Sequence, residues 1–583
     1  MYEAEDLSVS RTVLFGVVGL VLLAVSAVAY SFELPASVFM IVLGPAAADT
    51  GDRIPYVDVS LTYPIPTVAA GQPFLKMPLL TSNVVTVAKT IEDLSVGDES
   101  GPVAIAVKDD AESGEVTYRH WIASRATVGV VTVRYRTPIS NIAAPRGAAP
   151  PLELRSDNGA FSAAGETFLL QPEADVSRTV RIRWDLSGMA KGAVGVSSLG
   201  EGDVVTREPN GFASLRHCYF MGGKVELYPK APPAAGFFSA WHGTAPFDLP
   251  DLMASEQKLY DFYGKFFHRP ANVPYGVFLR ENPVNAGGGM ELSGSFVATF
   301  GPKTKIDDLK ITLAHEMLHT FVGGLDKPEG LESSWFSEGM AVYYARLLAW
   351  RAGQITANQF LKDLNTTAGR YYTDALINTP NSEIPARFWA DTRVRVLPYD
   401  RGSMYFAVVD EQVRAVSDGK RSLDDLLLAM LKRREKAPLD QSEWVGLVTE
   451  QLGPKGKDEF EAMLSGATQL PGRGAFGPCF TRTTKMLLRY QLGFDPKVLV
   501  EPKRIVRGLI AGSAAERAGV RNGDEITQPV PQDQIQGEQD GVLTLKLLRE
   551  GKPLEISYVP RAEAVEAYQW VRTKNAPDRE CVY

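Results

Sequence analysis

IDDLKITLAHEMLHTFVGGLDKPEGLESSWFSEGMAVYY, residues 306–344, holds two helical patterns joined by a glycine-marked break. In the first, Ile306, Leu309, Leu313, Met317, Leu318 and Phe321 recur at helical spacing. Thr304 with Asp307 resembles a capping box at its start, and Gly323-Gly324 can end it. On a helix of about 3.6 residues per turn, His315 and His319 lie one above the other on one face. Two imidazoles so placed can grip one zinc ion, with Glu316 beside them as a general base. Eighteen residues separate His319 from Glu338, which falls in the second helical pattern, residues 334–350. A carboxylate there can fold back as a third ligand and leave the fourth zinc position open for water. The plainer alternative is two histidines on a partly buried helix with Glu316 solvated. Glu338 weighs against it, because it completes a catalytic donor set.

His-Glu-x-x-His, eighteen residues, then Glu338 within Trp335-Phe336-Ser337-Glu338-Gly339 and a following Tyr343-Tyr344 resembles the gluzincin metallopeptidases. Within them it resembles the aminopeptidase branch. Gly287-Gly288-Gly289-Met290-Glu291 is similar to that branch's Gly-x-Met-Glu-Asn exopeptidase motif, and it precedes the zinc helix as the branch requires. Leu397-Pro398-Tyr399-Asp400-Arg401-Gly402 is similar to its Pro-Tyr-Glu-Lys-Gly segment, which carries the catalytic tyrosine. The glycyl aminopeptidase family of gluzincins also ends in a PDZ domain.

The resemblance implies a multidomain α+β fold: an N-terminal β-sandwich, a thermolysin-like zinc peptidase domain, an α-helical domain and a C-terminal PDZ domain. It implies one Zn2+ per chain on His315, His319 and Glu338, Glu316 as base and Tyr399 as oxyanion donor. It further implies that Glu291, with Gly288 and Gly289 beside it, binds the free amine of a peptide substrate. A preference for N-terminal glycine or alanine is implied by the resemblance alone. Two departures touch the substrate side. Leu292 stands where aminopeptidases have Asn or His, and Thr320-Phe321-Val322 follows His319 where the glycyl family has Trp-Asn and a basic run.

A chain of 583 residues with 45 % hydrophobic and 22 % charged residues has room for three or four domains and a core without disulfide support. Net charge is −8 and there is no basic patch with interleaved aromatics, so nucleic acid is not an expected partner. Cys218, Cys479 and Cys581 make neither a cysteine-rich zinc site nor a disulfide framework. Cys479 and Cys581 bracket the C-terminal domain; pairing in an oxidising compartment and three unlinked thiols both remain open.

Residues 12–30 are an uncharged, mostly apolar run long enough to cross a bilayer, and a shorter apolar run follows at 37–48. Ala27-Val28-Ala29 and Ala46-Ala47-Ala48 both fit a small-residue cleavage pattern, although Glu3, Glu5 and Asp6 replace the expected basic leader. The expectation is an exported (periplasmic or extracellular) or membrane-anchored protein, with residues 1–50 set aside as signal or anchor. The bland alternative is a later start, at Met40 for example. Residues 51–230 read as short alternating strands, and 229–236, PKAPPAAG, as a linker. The catalytic domain is expected over 231–350, with Ser295 to Phe300 as a possible edge strand. A helical domain follows over 351–475, Tyr399 falling just before one of its helices. Residues 476–583 complete the chain as the PDZ domain, on the match of Tyr490-Gln491-Leu492-Gly493-Phe494 to a carboxylate-binding loop and on the run from Gly508 to Ile526. His120, His217, His242 and His268 are read as structural.

The leading reading is a zinc aminopeptidase acting on peptides, with a possible C-terminal peptide ligand on the PDZ domain and a membrane contact if the N-terminal run is retained. A zinc endopeptidase fed by the PDZ domain is the second. An inactive, membrane-tethered binding protein is the third, and the intact set of His315, Glu316, His319, Glu338 and Tyr399 argues against it.

Overall fold

The computed structural model describes residues 38–64, 66–111, 117–141, 149–174, 177–206, 215–269, 272–282, 286–501, 503–573 and 577–583. The apolar run 12–30 lies outside them. Among the described residues no helix is long and apolar enough to cross a membrane.

Alternating side chains make strands of Val38–Pro45 (β1), Tyr56–Pro64 (β2), Val130–Pro138 (β3) and Thr179–Trp184 (β4). β1 lies between β2, antiparallel, and β4, parallel, inside a seven-stranded sheet. The shorter apolar run, set aside with the leader on sequence grounds, is therefore an inner strand with Ile41 and Leu43 fully buried. A short apolar run reads alike as leader or buried strand, and its partner Thr179–Trp184 is too distant in sequence to be seen. Phe74, Met77 and Trp121, from a second, four-stranded sheet, join the same core.

The next sheet positions the site. It comprises Glu226–Tyr228 (β5), Gly236–His242 (β6), Pro274–Glu281 (β7), Gly289–Leu292 (β8) and Ser295–Phe300 (β9), in spatial order β5-β6-β7-β9-β8. β6, β7 and β9 run parallel, and β5 and β8 are antiparallel edges. Two expectations change here. Residues 229–236 are not a linker between domains but the connection from β5 to β6 within one sheet. Ser295–Phe300 is an inner strand, buried at every residue as its apolar run demands; the edge is β8, which carries Glu291.

Leu249–Phe266 (α1), Ile306–Val322 (α2) and Ser334–Arg351 (α3) pack beside this sheet through one large core. α2 starts after Lys305 without a side-chain cap; the Thr304 hydroxyl accepts from the Gly301 N–H at 2.8 Å instead, so the expected capping box is absent. Asp307 and Asp308 in its first turn favour the positive end of the helix dipole. Gly323, at φ 63°, ends it as the sequence indicates.

Ala357–Tyr372 (α4), Leu397–Val416 (α5), Leu423–Arg434 (α6), Gln441–Leu452 (α7) and Pro454–Leu464 (α8) follow, within the span expected to be helical. Tyr399 lies within the first turn of α5, not before it. Beyond them Phe480–Tyr490 (β10) pairs with Arg561–Arg572 (β11) as a two-stranded ribbon. Strands Arg504–Ile505, Glu525–Ile526, Leu543–Arg549 and Lys552–Tyr558 form a small sheet with its own core. Ala567 and Trp570 of the ribbon are buried in the core that also holds α2 and α3. Cys479 and Cys581 are joined by a disulfide, which the sequence left open, and Cys218 is buried outside that bridge.

Glu256 on α1 is buried, and its Oε2 has no hydrogen-bond partner among the described residues. Burial pushes its carboxyl up to about 8, against the pull of Lys310 on α2. The folded state thus holds the proton more tightly than the unfolded chain, whose carboxyl has the ordinary value of 4.5. Stability falls as pH rises from that value through about 8 and is level above it. Glu256→Gln removes the fall. Thermal denaturation of the two proteins should show a Tm gap in favour of the variant that opens between pH 5 and 8; a pH-independent gap would contradict this origin.

Candidate metal and active site

His315 and His319 stand one turn apart on α2, whose opposite face buries Leu309, Leu313, Met317 and Phe321. That burial fixes the rotation of the helix and so the direction of both imidazoles. The two Nε2 atoms lie 3.1 Å apart. Oε2 of Glu338, from α3, lies 3.2 Å from His315 Nε2 and 3.4 Å from His319 Nε2. Tetrahedral bonds of about 2.0–2.1 Å to zinc span ligand–ligand edges of about 3.3–3.4 Å. The triangle has those dimensions, and its two nitrogens and one carboxylate oxygen are donors zinc accepts, so these residues fit the ion. Glu338 keeps 22 % side-chain exposure, which leaves the triad open on one side. Among the described residues this is the one such cluster of His, Cys, Asp or Glu.

α3 and α5 cross with glycine against glycine. A Cβ on Gly339 would lie 2.7 Å from Gly402 Cα, and one on Gly402 would lie 2.5 Å from the Trp335 carbonyl oxygen. No other residue type allows that approach. Glu338 immediately precedes the first glycine, and Tyr399 stands nearly one turn before the second. The crossing thereby brings the Tyr399 ring to 6.0 Å from that of His315, nearly parallel to it. Asp400, next to Tyr399, is fully buried and receives two hydrogen bonds from Arg370 on α4, at 2.6 and 2.7 Å.

The glycines before Glu291 have a local reason as well. A Cβ on Gly289 would lie 2.6 Å from Glu316 Cγ, so the side chain of Glu316 folds directly over that backbone. The Gly288 carbonyl accepts from Thr299 on β9, at 2.9 Å from its N–H and 3.2 Å from its hydroxyl. Gly287, at φ 87°, makes the turn into β8. Glu291 follows on the sheet edge beside α2. Arg269 donates to the Thr320 carbonyl at 3.0 Å, and Arg434 donates to the carbonyls of Val322 and Gly324. Both satisfy the carbonyl end of the histidine helix. Neither arginine is visible as a site residue in the sequence, because each acts across more than fifty positions.

Burial dominates the electrostatics. It pushes the Glu316 carboxyl up to about 8, with Glu338 and Glu291 adding to the rise and His319 opposing it. It also raises Glu291, with Glu338 adding and His319 and Arg434 opposing. For Glu338 burial acts upward too, but the facing imidazoles hold the carboxyl well below its ordinary range. Tyr399 is held well above its ordinary value by burial and by Glu338 and Glu316, so it stays a hydroxyl donor. A dication at the triad would offset this gathering of carboxylates. His120, between Glu173 and Asp110, and His242, 3.3 Å from the Ser162 hydroxyl, are outside the cluster.

Residues 309–381 match the profile of the M61 glycyl aminopeptidase family. No curated protein matches the chain. Among solved structures, an aminopeptidase N family protein from Idiomarina loihiensis aligns over 93 % of this chain and 99 % of its own, with a TM-score of 0.64 at 15 % identity. An M1 zinc metallopeptidase from Deinococcus radiodurans covers 75 % of this chain and 96 % of its own, with a TM-score of 0.43 at 15 % identity. The chain shares the multidomain α+β fold of the first. It is a zinc peptidase, a hydrolase of peptide bonds. Over residues 309–381 it is similar to the glycyl aminopeptidases.

The glycine crossing yields a direct test. Gly402→Ala drives a methyl against the backbone oxygen of Trp335, which cannot swing away. We expect a loss of about 1–3 kcal/mol in stability and a larger proportional loss of turnover than of zinc. Denaturant unfolding, metal content and kcat measured together check this; an unaltered kcat would show that the helix approach does not set Tyr399.

Proposed function

We propose that the chain is a zinc-dependent aminopeptidase that removes N-terminal residues from peptides, with one Zn2+ per chain held by His315, His319 and Glu338. Zinc held there would supply Lewis acidity, lowering the pKa of a bound water toward about 7 and polarising the scissile carbonyl. Glu316, beside the triad and braced against Gly289, takes the proton of the attacking water and passes it to the leaving amine. The Tyr399 hydroxyl donates to the oxygen on which charge collects, a contribution of about a few kcal/mol per donor in comparable sites.

Glu291 carries the aminopeptidase reading. It is a half-buried carboxylate on the free strand edge, in electrostatic contact with His319 and Glu338 yet outside the ligand triangle. Such a group pairs with the α-ammonium of a peptide and places its first bond over the triad. Gly288 and Gly289 are proposed to lie along the substrate backbone, with Gly289 leaving room for the Glu316 side chain. A preference for small N-terminal residues, glycine or alanine, accords with the family that matches residues 309–381.

Residues 476–583 are proposed as a PDZ-like domain. In support, Ser513 caps the short helix Ala514–Arg517 and the strands around it close a separate core. Such a unit would take a C-terminal peptide along a strand edge. The preceding units are proposed as a β-rich domain, a catalytic domain and a helical domain, with the first boundary near 38 and the second before β5. Export or membrane anchoring is proposed as well, supported by the Cys479–Cys581 disulfide, since such bridges persist in oxidising compartments.

The test is hydrolysis of glycyl and alanyl peptides, each with a free and an acetylated N-terminus, with and without a zinc chelator. Chelator-sensitive cleavage of the free-amine set alone is expected. Cleavage of both sets would make the enzyme an endopeptidase. Glu316→Gln should keep its zinc and lose about 10²–10⁴-fold in kcat. Glu291→Ala should also keep zinc and lose about 10- to 100-fold in kcat/KM on free-amine peptides; full activity in that variant would remove the amine-anchor role.

A further inference from the structure

Asp533 opens the short helix Asp533–Gly537 (α9), far along the chain from the triad. Its carboxylate accepts from Arg395 through two nitrogens, Nη2 at 2.5 Å and Nε at 3.2 Å, and from the Thr392 hydroxyl. Its carbonyl accepts from Arg370 at 3.3 Å. Gln536, one turn on, donates to the same Thr392 hydroxyl at 3.0 Å. Thr392 and Arg395 lie just before Tyr399 in the chain, and Arg370 bonds its neighbour Asp400. Thr392–Arg395 is the short helix that leads into α5, and the Asp400 N–H returns to the Val396 carbonyl at 3.0 Å. Arg370 also donates through Nε and Nη2 to Asp400, the neighbour of Tyr399. The end of α9 is pressed against α4, where a Cβ on Gly537 would lie 2.6 Å from Thr366 Cγ2. Thr392 and Arg395 are buried, so without Asp533 an uncompensated guanidinium would remain beside the first turn of α5.

The geometry points to Asp533 as a positioning residue for Tyr399: the C-terminal region holds the first turn of α5 in place through the Arg395–Thr392 pair and through Arg370 and Asp400. This rests on the proposed role of Tyr399, and it makes the C-terminal region a structural part of the active site rather than an appendage. An ordinary docking contact would differ in one respect, because it would hold the region on without acting on α5. Asn365 supplies that comparison. It bonds the ribbon at Trp570, 2.8 Å to the carbonyl and 2.7 Å from the N–H, with no hydrogen bond to Thr392, Arg395 or Asp400 among the described residues.

The experiment uses the full chain with Asp533→Ala, Asp533→Asn, Asp533→Glu and Asn365→Ala. It reads kcat and KM on the best free-amine peptide, zinc content, and hydrogen exchange over residues 392–404. For Asp533→Ala we expect kcat to fall about tenfold with KM within about twofold and zinc retained, and exchange over 392–404 to speed up. Asp533→Glu should recover most of both. Asn365→Ala should leave exchange over 392–404 unchanged. If Asp533→Ala does not fold, the isosteric Asp533→Asn carries the same expectations. Unchanged kcat and exchange in a folded Asp533 variant would overturn the inference, as would an equal loss in Asn365→Ala. A wild-type chain inert on every peptide would sink the aminopeptidase reading instead, and the exchange comparison would still decide the role of Asp533.

Discussion

The contact between Gly339 and Gly402 governs the architecture of the site. Where two helices meet without side chains between them, their backbones come close enough that small displacements have no soft neighbour to absorb them. Around that point Trp335, Tyr405, Phe406, Trp444 and Phe460 interlock, and the Trp444 indole donates to the Tyr405 hydroxyl at 3.0 Å. This aromatic packing holds α3 and α5 at one mutual position. The proposed ligand Glu338 and the proposed donor Tyr399 inherit that position, each from its own helix. The relative placement of Glu338 and Tyr399 thus rests on the absence of two methyl groups.

A second constraint is electrostatic. Glu291, Glu316 and Glu338 converge on the cleft, and burial opposes the charge on each. Buried carboxylates are tolerated where cations or metals answer them. His315 and His319 answer Glu338 directly, and Arg434 reaches Glu291 from the far end of the histidine helix. Arg434 and Arg269 also occupy the carbonyl end of α2, so the groups that close the helix and those that balance the cleft are partly the same. The sheet edge adds the third element. β8 is paired on one side by β9 and ends the sheet on the other, beside α2.

The C-terminal region is bound into this arrangement at several levels. The ribbon contributes Trp570 to the large core, the disulfide ties Cys581 back to Cys479, and α9 lies against α4 and the entry to α5. The small sheet beyond it keeps a separate core. The ribbon is thus fused to the catalytic helices, and α9, inserted between two strands of the small sheet, ties that sheet to them as well.

The sequence by itself determined the local features. The helical period around His315 and His319 and the break at Gly323 follow from side-chain pattern and backbone freedom, which act over a few residues. The same holds for the helices from α4 to α7 and for the turn glycines before Glu291. Its local reading also erred where a signal was ambiguous at short range: the capping box that Thr304 does not form, and the strand β1 taken as leader. Tertiary structure alone decided what depends on distant pairs. The placement of β5 in the catalytic sheet, β8 rather than β9 at its edge, the Cys479–Cys581 bridge, the arginines at the end of α2 and Asp533 beside Tyr399 all join residues far apart in the chain. A one-dimensional pattern encodes which face of a segment is apolar; it does not encode which distant face will cover it, and the geometry of this site is set by that choice.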